Sequence, residues 1–100
     1  MKYGLSERTL KTLDSIFRMY PGIKEVVLYG SRAKGNYRPG SDIDITLKTT
    51  SVFCWNDLLR ISGNFEDSDI PYFVDVSIYD TLKNSDLTDH IDRVGKVLYP

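Results

Sequence analysis

Three aspartates and one glycine-serine pair carry the chemistry that this sequence can offer. In Ser41-Asp42-Ile43-Asp44 two carboxylates stand two residues apart, inside a run that alternates polar and apolar from Ser41 to Leu47. Successive side chains of a strand point to opposite faces, so Asp42, Asp44 and Thr46 share one face while Ile43, Ile45 and Leu47 go to the core. Strand rise separates the two aspartate Cα atoms by ~6.6–6.8 Å, close enough for their side chains to converge on divalent ions ~3.5–4 Å apart. Asp75 stands alone in a second alternating run, Tyr72 to Ile78, with Phe73 and Ser77 on its own face. If that strand lies beside the first in matching register, Asp75 completes a three-carboxylate site. Bunched carboxylates repel one another and are tolerable where a strongly cationic group binds. Hard divalent cations such as Mg²⁺ prefer such oxygen ligands and share them with substrate phosphates.

Gly30-Ser31 follows the β-branched and aromatic run Val26-Val27-Leu28-Tyr29. A glycine at the end of a buried strand lets the backbone approach a ligand closely, and the amides that follow, opening a short helix, can donate to a phosphate. Arg32, Lys34 and Arg38 lie in or beside this loop and are placed to neutralise developing negative charge. Each feature alone has a plainer explanation. Gly30-Ser31 can be a turn in which Ser31 caps a helix, and Asp42 with Asp44 can be the wet face of an amphipathic strand. Asp75 among Phe73, Val74 and Val76 fits a solvated face less comfortably. His90 reads as structural or incidental, turned away from Leu87, Ile91 and Val94 near a helix C-terminus. Cys54 has no partner for a zinc site, Trp55 reads as core-facing, and Tyr37 is the tyrosine placed to touch a base.

The elements that must position these groups follow from the periodicity. Ser6 reads as the N-cap of a helix whose buried face is Leu10, Leu13, Ile16, Phe17 and Tyr20, with Leu5 stapled onto Leu10 and Pro21-Gly22 ending it. A strand over Ile23–Tyr29 leads into a loop from Gly30 to Gly40, with one helical turn around Ser31–Lys34. After the strand at Ser41–Leu47, Trp55, Leu58, Leu59 and Ser62 fall at helical spacing within Val52–Asp67. The strand Tyr72–Ile78, a helix carrying Leu87, Ile91 and Val94 and closed by Gly95, and a terminal strand Lys96–Tyr99 complete the order. Alternating strands and helices predict an α/β fold: a small sheet with helices packed against it, mixed because the first two strands are joined by a hairpin-like loop.

At 100 residues the chain is read as a single domain, 1–100, with no repeat or linker. Net charge -1, 41% apolar and 27% charged residues are those of an ordinary globular chain, and no basic excess is present to hold a nucleic-acid backbone by charge. Direct nucleic-acid binding is therefore not expected. One cysteine excludes an intrachain disulfide and suits a reducing compartment, no apolar run approaches the ~20 residues of a membrane span, and the first ten residues carry no export signal. The expected location is cytoplasmic.

Leu28-Tyr29-Gly30-Ser31-Arg32-Ala33-Lys34-Gly35 followed by Gly40-Ser41-Asp42-Ile43-Asp44-Ile45 resembles the signature of the minimal nucleotidyltransferases of the DNA polymerase β superfamily. The likeness extends to Asp75 and to the closing Ile91–Tyr99 segment, and as an ordered composite it is specific. It implies the nucleotidyltransferase fold and transfer of a nucleoside monophosphate, AMP from ATP, to an acceptor hydroxyl. By that resemblance Gly30 and Ser31 hold the β- and γ-phosphates, with Arg32, Lys34 and Ser41 around the nucleotide. Asp42 and Asp44 bind two Mg²⁺ ions, and Asp75 binds one of them and helps activate the hydroxyl. So short a chain leaves little surface for an acceptor, which points to a protein partner. Stand-alone domains of this kind resemble antitoxins that neutralise a HEPN-domain ribonuclease toxin by attaching AMP to a tyrosine. The alternative is a non-catalytic subunit of the same fold that inhibits its partner by contact alone; the intact acid set and Gly-Ser turn favour catalysis.

Overall fold

The computed structural model describes residues Met1–Pro100. Helix α1 spans Glu7–Phe17, and the Ser6 side chain caps it by accepting the Thr9 N–H at 3.1 Å. Strand β1 (Ile23–Tyr29) runs directly into the short helix α2 (Gly30–Lys34), and β2 (Ile43–Thr49) returns antiparallel to it. Helix α3 (Trp55–Asp67) crosses to β3 (Val74–Ile78), which pairs parallel with β2. A 3₁₀ turn at Tyr79–Thr81, helix α4 (Ser85–Val94) and β4 (Lys96–Tyr99) end the chain, with β4 antiparallel to β1. The sheet order is β3-β2-β1-β4, so the expected small mixed sheet is what forms.

Strand alternation divides the sheet into two faces with different work. Val26, Leu28, Ile43, Ile45, Leu47 and Val74 are buried on one face, where they meet Leu13, Ile16 and Phe17 of α1 and Ile61 and Phe65 of α3 in a single core. Leu5 and Tyr20 close the ends of that core, and Phe17 meets Phe65 edge-on at 6.1 Å. The opposite face presents Val27, Tyr29, Asp44, Thr46, Asp75 and Ser77, and α4 packs beside β1 through the buried Ile91. The half of that face over β2 and β3 is where the acids stand.

Helix α3 departs from expectation in two respects. It begins at Trp55 rather than Val52, because Cys54 and Asp57 form a capping box and the Cys54 N–H donates to the Asp57 carboxylate at 3.0 Å. Its buried stripe is Leu58, Ile61 and Phe65, whereas Trp55 is 64% exposed and Leu59 58% exposed, so Trp55 is not core-facing. At about 100° per residue, Trp55 lies roughly a quarter-turn from the centre of that stripe. Gly63-Asn64 does not interrupt the helix, and Asn64 accepts a hydrogen bond from the Tyr20 hydroxyl, tying α3 to the end of α1.

Candidate active site

Adjacent strands bring the predicted acids together. Asp44 and Asp75 are direct partners in the parallel β2–β3 register, and Asp44 is also the partner of Tyr29 in the antiparallel β1–β2 register. Asp42 lies just before β2, exposed like Asp75, while Asp44 is half-buried between them. Burial, reinforced by the negative charges of Asp75 and then Asp42, pushes the Asp44 carboxyl above its ordinary value; Arg32 and His90 oppose the shift more weakly. Burial likewise holds the Tyr29 phenol above its usual range, with Asp75 and Asp44 adding to it, so Tyr29 keeps its proton beside the carboxylates.

Gly30 brings the loop against this cluster. Its φ of +75° is in the left-handed region, and a Cβ there would stand 2.5 Å from Asp44 Oδ2. Only glycine satisfies both the dihedral and the space. The first turn of α2 therefore opens on the Asp44 carboxylate itself. The Tyr29 side chain does not cap α2, so the amides after Gly30 in its first turn have no N-cap partner. The Gly30 N–H is committed elsewhere: it donates to His90 Nε2 at 3.1 Å, and the His90 ring meets the Tyr29 ring edge-on at 6.2 Å. Of the two readings of His90, structural or incidental, the structural one holds: it seats the Gly30 turn beside Asp44. Nothing in the periodicity of α4 signals this, because it depends on how α4 docks on β1. The donors left at the start of α2 are Ser31 and the residues after it.

The other expected contacts are sorted by the same geometry. Lys34, in the last turn of α2, and Arg38 are exposed and unpaired, in keeping with a role toward phosphate. Ser41 is occupied: its hydroxyl donates to the Arg38 carbonyl at 2.8 Å and accepts the Arg38 N–H at 2.9 Å, closing a turn in the loop. Arg32 departs furthest from expectation. It is 2% exposed, and its guanidinium donates to the carbonyls of Ser41, Asp42 and Tyr3 in place of a phosphate. Tyr37, expected at a base, packs its ring on the Arg32 guanidinium at 5.3 Å.

The donor set fits divalent cations of the Mg²⁺ type: hard oxygens only, with one acid pushed toward its protonated form by burial first and by its acidic neighbours second. The side chains do not form a ready cage of three ligands. That suits ions which keep several water and phosphate oxygens and take only one or two carboxylates each from the protein.

A family model described as "Polymerase beta, Nucleotidyltransferase" matches residues 11–100. Comparison with curated protein sequences returned no match. Among solved structures, a toxin-antitoxin complex with AMP-PNP superposes with a TM-score of 0.74 at 20% identity, over 90% of this chain and 72% of that one. A mutant of the toxin-antitoxin MntA-HpeT gives 0.70 at 18% identity, over 95% and 73% of the two chains. A Sulfolobus solfataricus protein described as a nucleotidyltransferase gives 0.55 at 24% identity, over 90% and 78%. At these identities the likenesses establish the fold, and the match over residues 11–100 establishes the lineage: the chain belongs to the polymerase beta nucleotidyltransferase family.

Proposed function

We propose that the protein transfers AMP from ATP to a hydroxyl, a tyrosine in the expected case, of a partner protein, and that it acts as an antitoxin in this way. The observation that carries the reading is the shared register of Tyr29, Asp44 and Asp75, with Gly30 packed against Asp44. That arrangement sets the Gly30-Ser31 turn beside the paired carboxylates of Asp44 and Asp75, with Asp42 two residues before Asp44, and so supports the reading. Two structural neighbours are toxin-antitoxin complexes, one crystallised with AMP-PNP, and this supports both the nucleotide and the kind of partner.

In the reaction the acceptor oxygen forms a bond to the α-phosphorus of ATP, the bond from that phosphorus to the bridging oxygen breaks, and pyrophosphate leaves. Ser31 and the opening amides of α2 bind the β- and γ-phosphates, and Lys34 and Arg38 neutralise the charge that builds on the leaving group. Asp42 and Asp44 would hold the Mg²⁺ ions, which when bound supply charge stabilisation on attacking and leaving oxygens. Asp75, on the exposed side of the cluster, orients the acceptor hydroxyl and accepts its proton. His90 keeps Gly30 seated against Asp44 by accepting the Gly30 N–H. ATP labelled at the α-phosphate, incubated with Mg²⁺ and the partner that co-purifies, is expected to label that partner, and γ-labelled ATP is not. Neutralisation of the partner by wild type and Asp44→Asn alike, with no label transferred, would identify inhibition by contact instead.

A further inference from the structure

Arg32 looks from the sequence like a phosphate ligand, and the structure turns it to the backbone instead: it is 2% exposed, and its Nε, Nη1 and Nη2 each donate to a main-chain carbonyl. Its Nε donates to the Ser41 carbonyl at 3.1 Å and the Asp42 carbonyl at 3.3 Å, Nη2 to Ser41 at 2.6 Å, and Nη1 to the Tyr3 carbonyl at 2.9 Å. Its guanidinium lies 4.4 Å from the centroid of the Tyr72 ring and 5.3 Å from that of Tyr37. One side chain rooted in α2 thereby joins four segments: the phosphate turn, the peptide that leads into Asp42, the lead-in to the Asp75 strand, and the N-terminal turn. A planar fork with donors in several directions and faces that stack on aromatic rings can do this; a lysine ammonium cannot.

The N-terminal turn is shaped around the same group. Tyr3 has φ +56° and Gly4 φ +71°, held by paired hydrogen bonds between Lys2 and Leu5. A Cβ on Gly4 would fall 2.8 Å from Arg32 Nη1 and closer still to the Tyr37 ring. The turn therefore closes directly over the Arg32–Tyr37 pair.

We infer that Arg32 is a positioning residue, and that with the Tyr3-Gly4 turn it fixes the Ser41–Asp42 peptide so that Asp42 is presented to a divalent cation in register with Asp44. This rests on the reading of Asp42 as a cation ligand. Two readouts test it separately. Hydrogen exchange at the Ser41 N–H, which donates to Arg38, and at the Ile43 N–H, which donates to Phe73, reports the segment without any ligand. Binding of AMP-PNP titrated with Mg²⁺ reports the consequence. Arg32→Lys and Gly4→Ala are each expected to speed exchange at Ser41 and Ile43 selectively. They should also raise the Mg²⁺ concentration needed for half-maximal binding by about tenfold, the size of effect usual when a group that orients a metal ligand is lost. Nucleotide affinity at saturating Mg²⁺ should stay near that of wild type.

Tyr37→Leu, at a partly exposed position, removes one of the two ring contacts to Arg32 and is expected to shift both readouts the same way; it carries the test if Arg32→Lys does not fold. Exchange that rises uniformly across the sheet, with an unchanged Mg²⁺ midpoint, would overturn the inference and leave Arg32 merely structural. Wild-type protein that never binds AMP-PNP would defeat the functional reading, while the exchange measurement still decides whether the strut exists.

Discussion

Asp44→Asn separates the folding role of the acid cluster from its catalytic one. Asp44 faces Asp75 across neighbouring strands and is half-buried; burial, then Asp75 and Asp42, push its carboxyl toward the protonated form. Neighbouring strands lie ~4.8 Å apart, so two charges at about 5 Å repel by roughly 0.8 kcal/mol under water-like screening, the appropriate limit beside the exposed Asp75. Asp42 adds a smaller amount and Arg32 and His90 subtract, which leaves on the order of 0.5–1 kcal/mol of repulsion relieved by the neutral amide. In a domain of this size that raises Tm by roughly 2–8 °C. The assay is thermal denaturation in chelator and again in Mg²⁺ with AMP-PNP. Asp44→Asn should melt above wild type in chelator and below it with the ligands, because only wild type gains the linked binding energy. Asp44→Asn melting below wild type in chelator, or both proteins gaining equally from the ligands, would refute the idea that the cluster is held at a cost which cations relieve.

Other consequences are as specific. The raised Asp44 pKa means that, from its ordinary value of 3.8 up to the folded value, the native state carries more protons than the unfolded one. Stability of the ligand-free protein should accordingly fall as pH rises through that window, and Asp44→Asn should flatten the profile in a pH series of melts. Gly30→Ala forces a Cβ toward Asp44 Oδ2 at a φ of +75°, costing about 1–2 kcal/mol of strain and at least a hundredfold in transfer rate, about 2.7 kcal/mol in activation free energy, measured by calorimetric melts and label incorporation. His90→Ala should leave the protein folded and weaken AMP-PNP binding severalfold, about the loss of one modest hydrogen bond, read by titration at fixed Mg²⁺; an unchanged Kd would remove His90 from the site. Ile61→Ala should cost about 2–5 kcal/mol and Leu59→Ala less than about 0.5, a comparison by urea denaturation that checks which stripe of α3 is buried.

Alternation made the strands legible. The Ile43–Leu47 and Val74–Ile78 runs put their apolar residues in the core and their acids on the other face, as the pleat requires. The partnership of Asp44 with Asp75 was accessible only as a condition, since register is a tertiary property, and it proved to be a direct pairing. Helix α3 shows where periodicity misleads. Trp55 and Leu59 are as apolar as Ile61 and Phe65, and only the sheet below selects the stripe that is buried. Arg32 and His90 show what side-chain type leaves hidden. Arg32 reads by type as facing a phosphate, and a structural reading of His90 does not name its partner, because the groups that define these two are backbone groups distant in sequence: Tyr3 and Ser41 for one, Gly30 for the other.

Covalent transfer of a nucleotide is what separates catalysis from inhibition by contact. Intact mass spectrometry of the co-purifying partner, isolated with wild-type protein and with Asp44→Asn, tests for it most directly. The prediction is a gain of one or more AMP units on the partner with wild type, located on a hydroxyl side chain, and an unmodified partner with Asp44→Asn. An unmodified partner in both preparations, inhibited equally by both proteins, would contradict it.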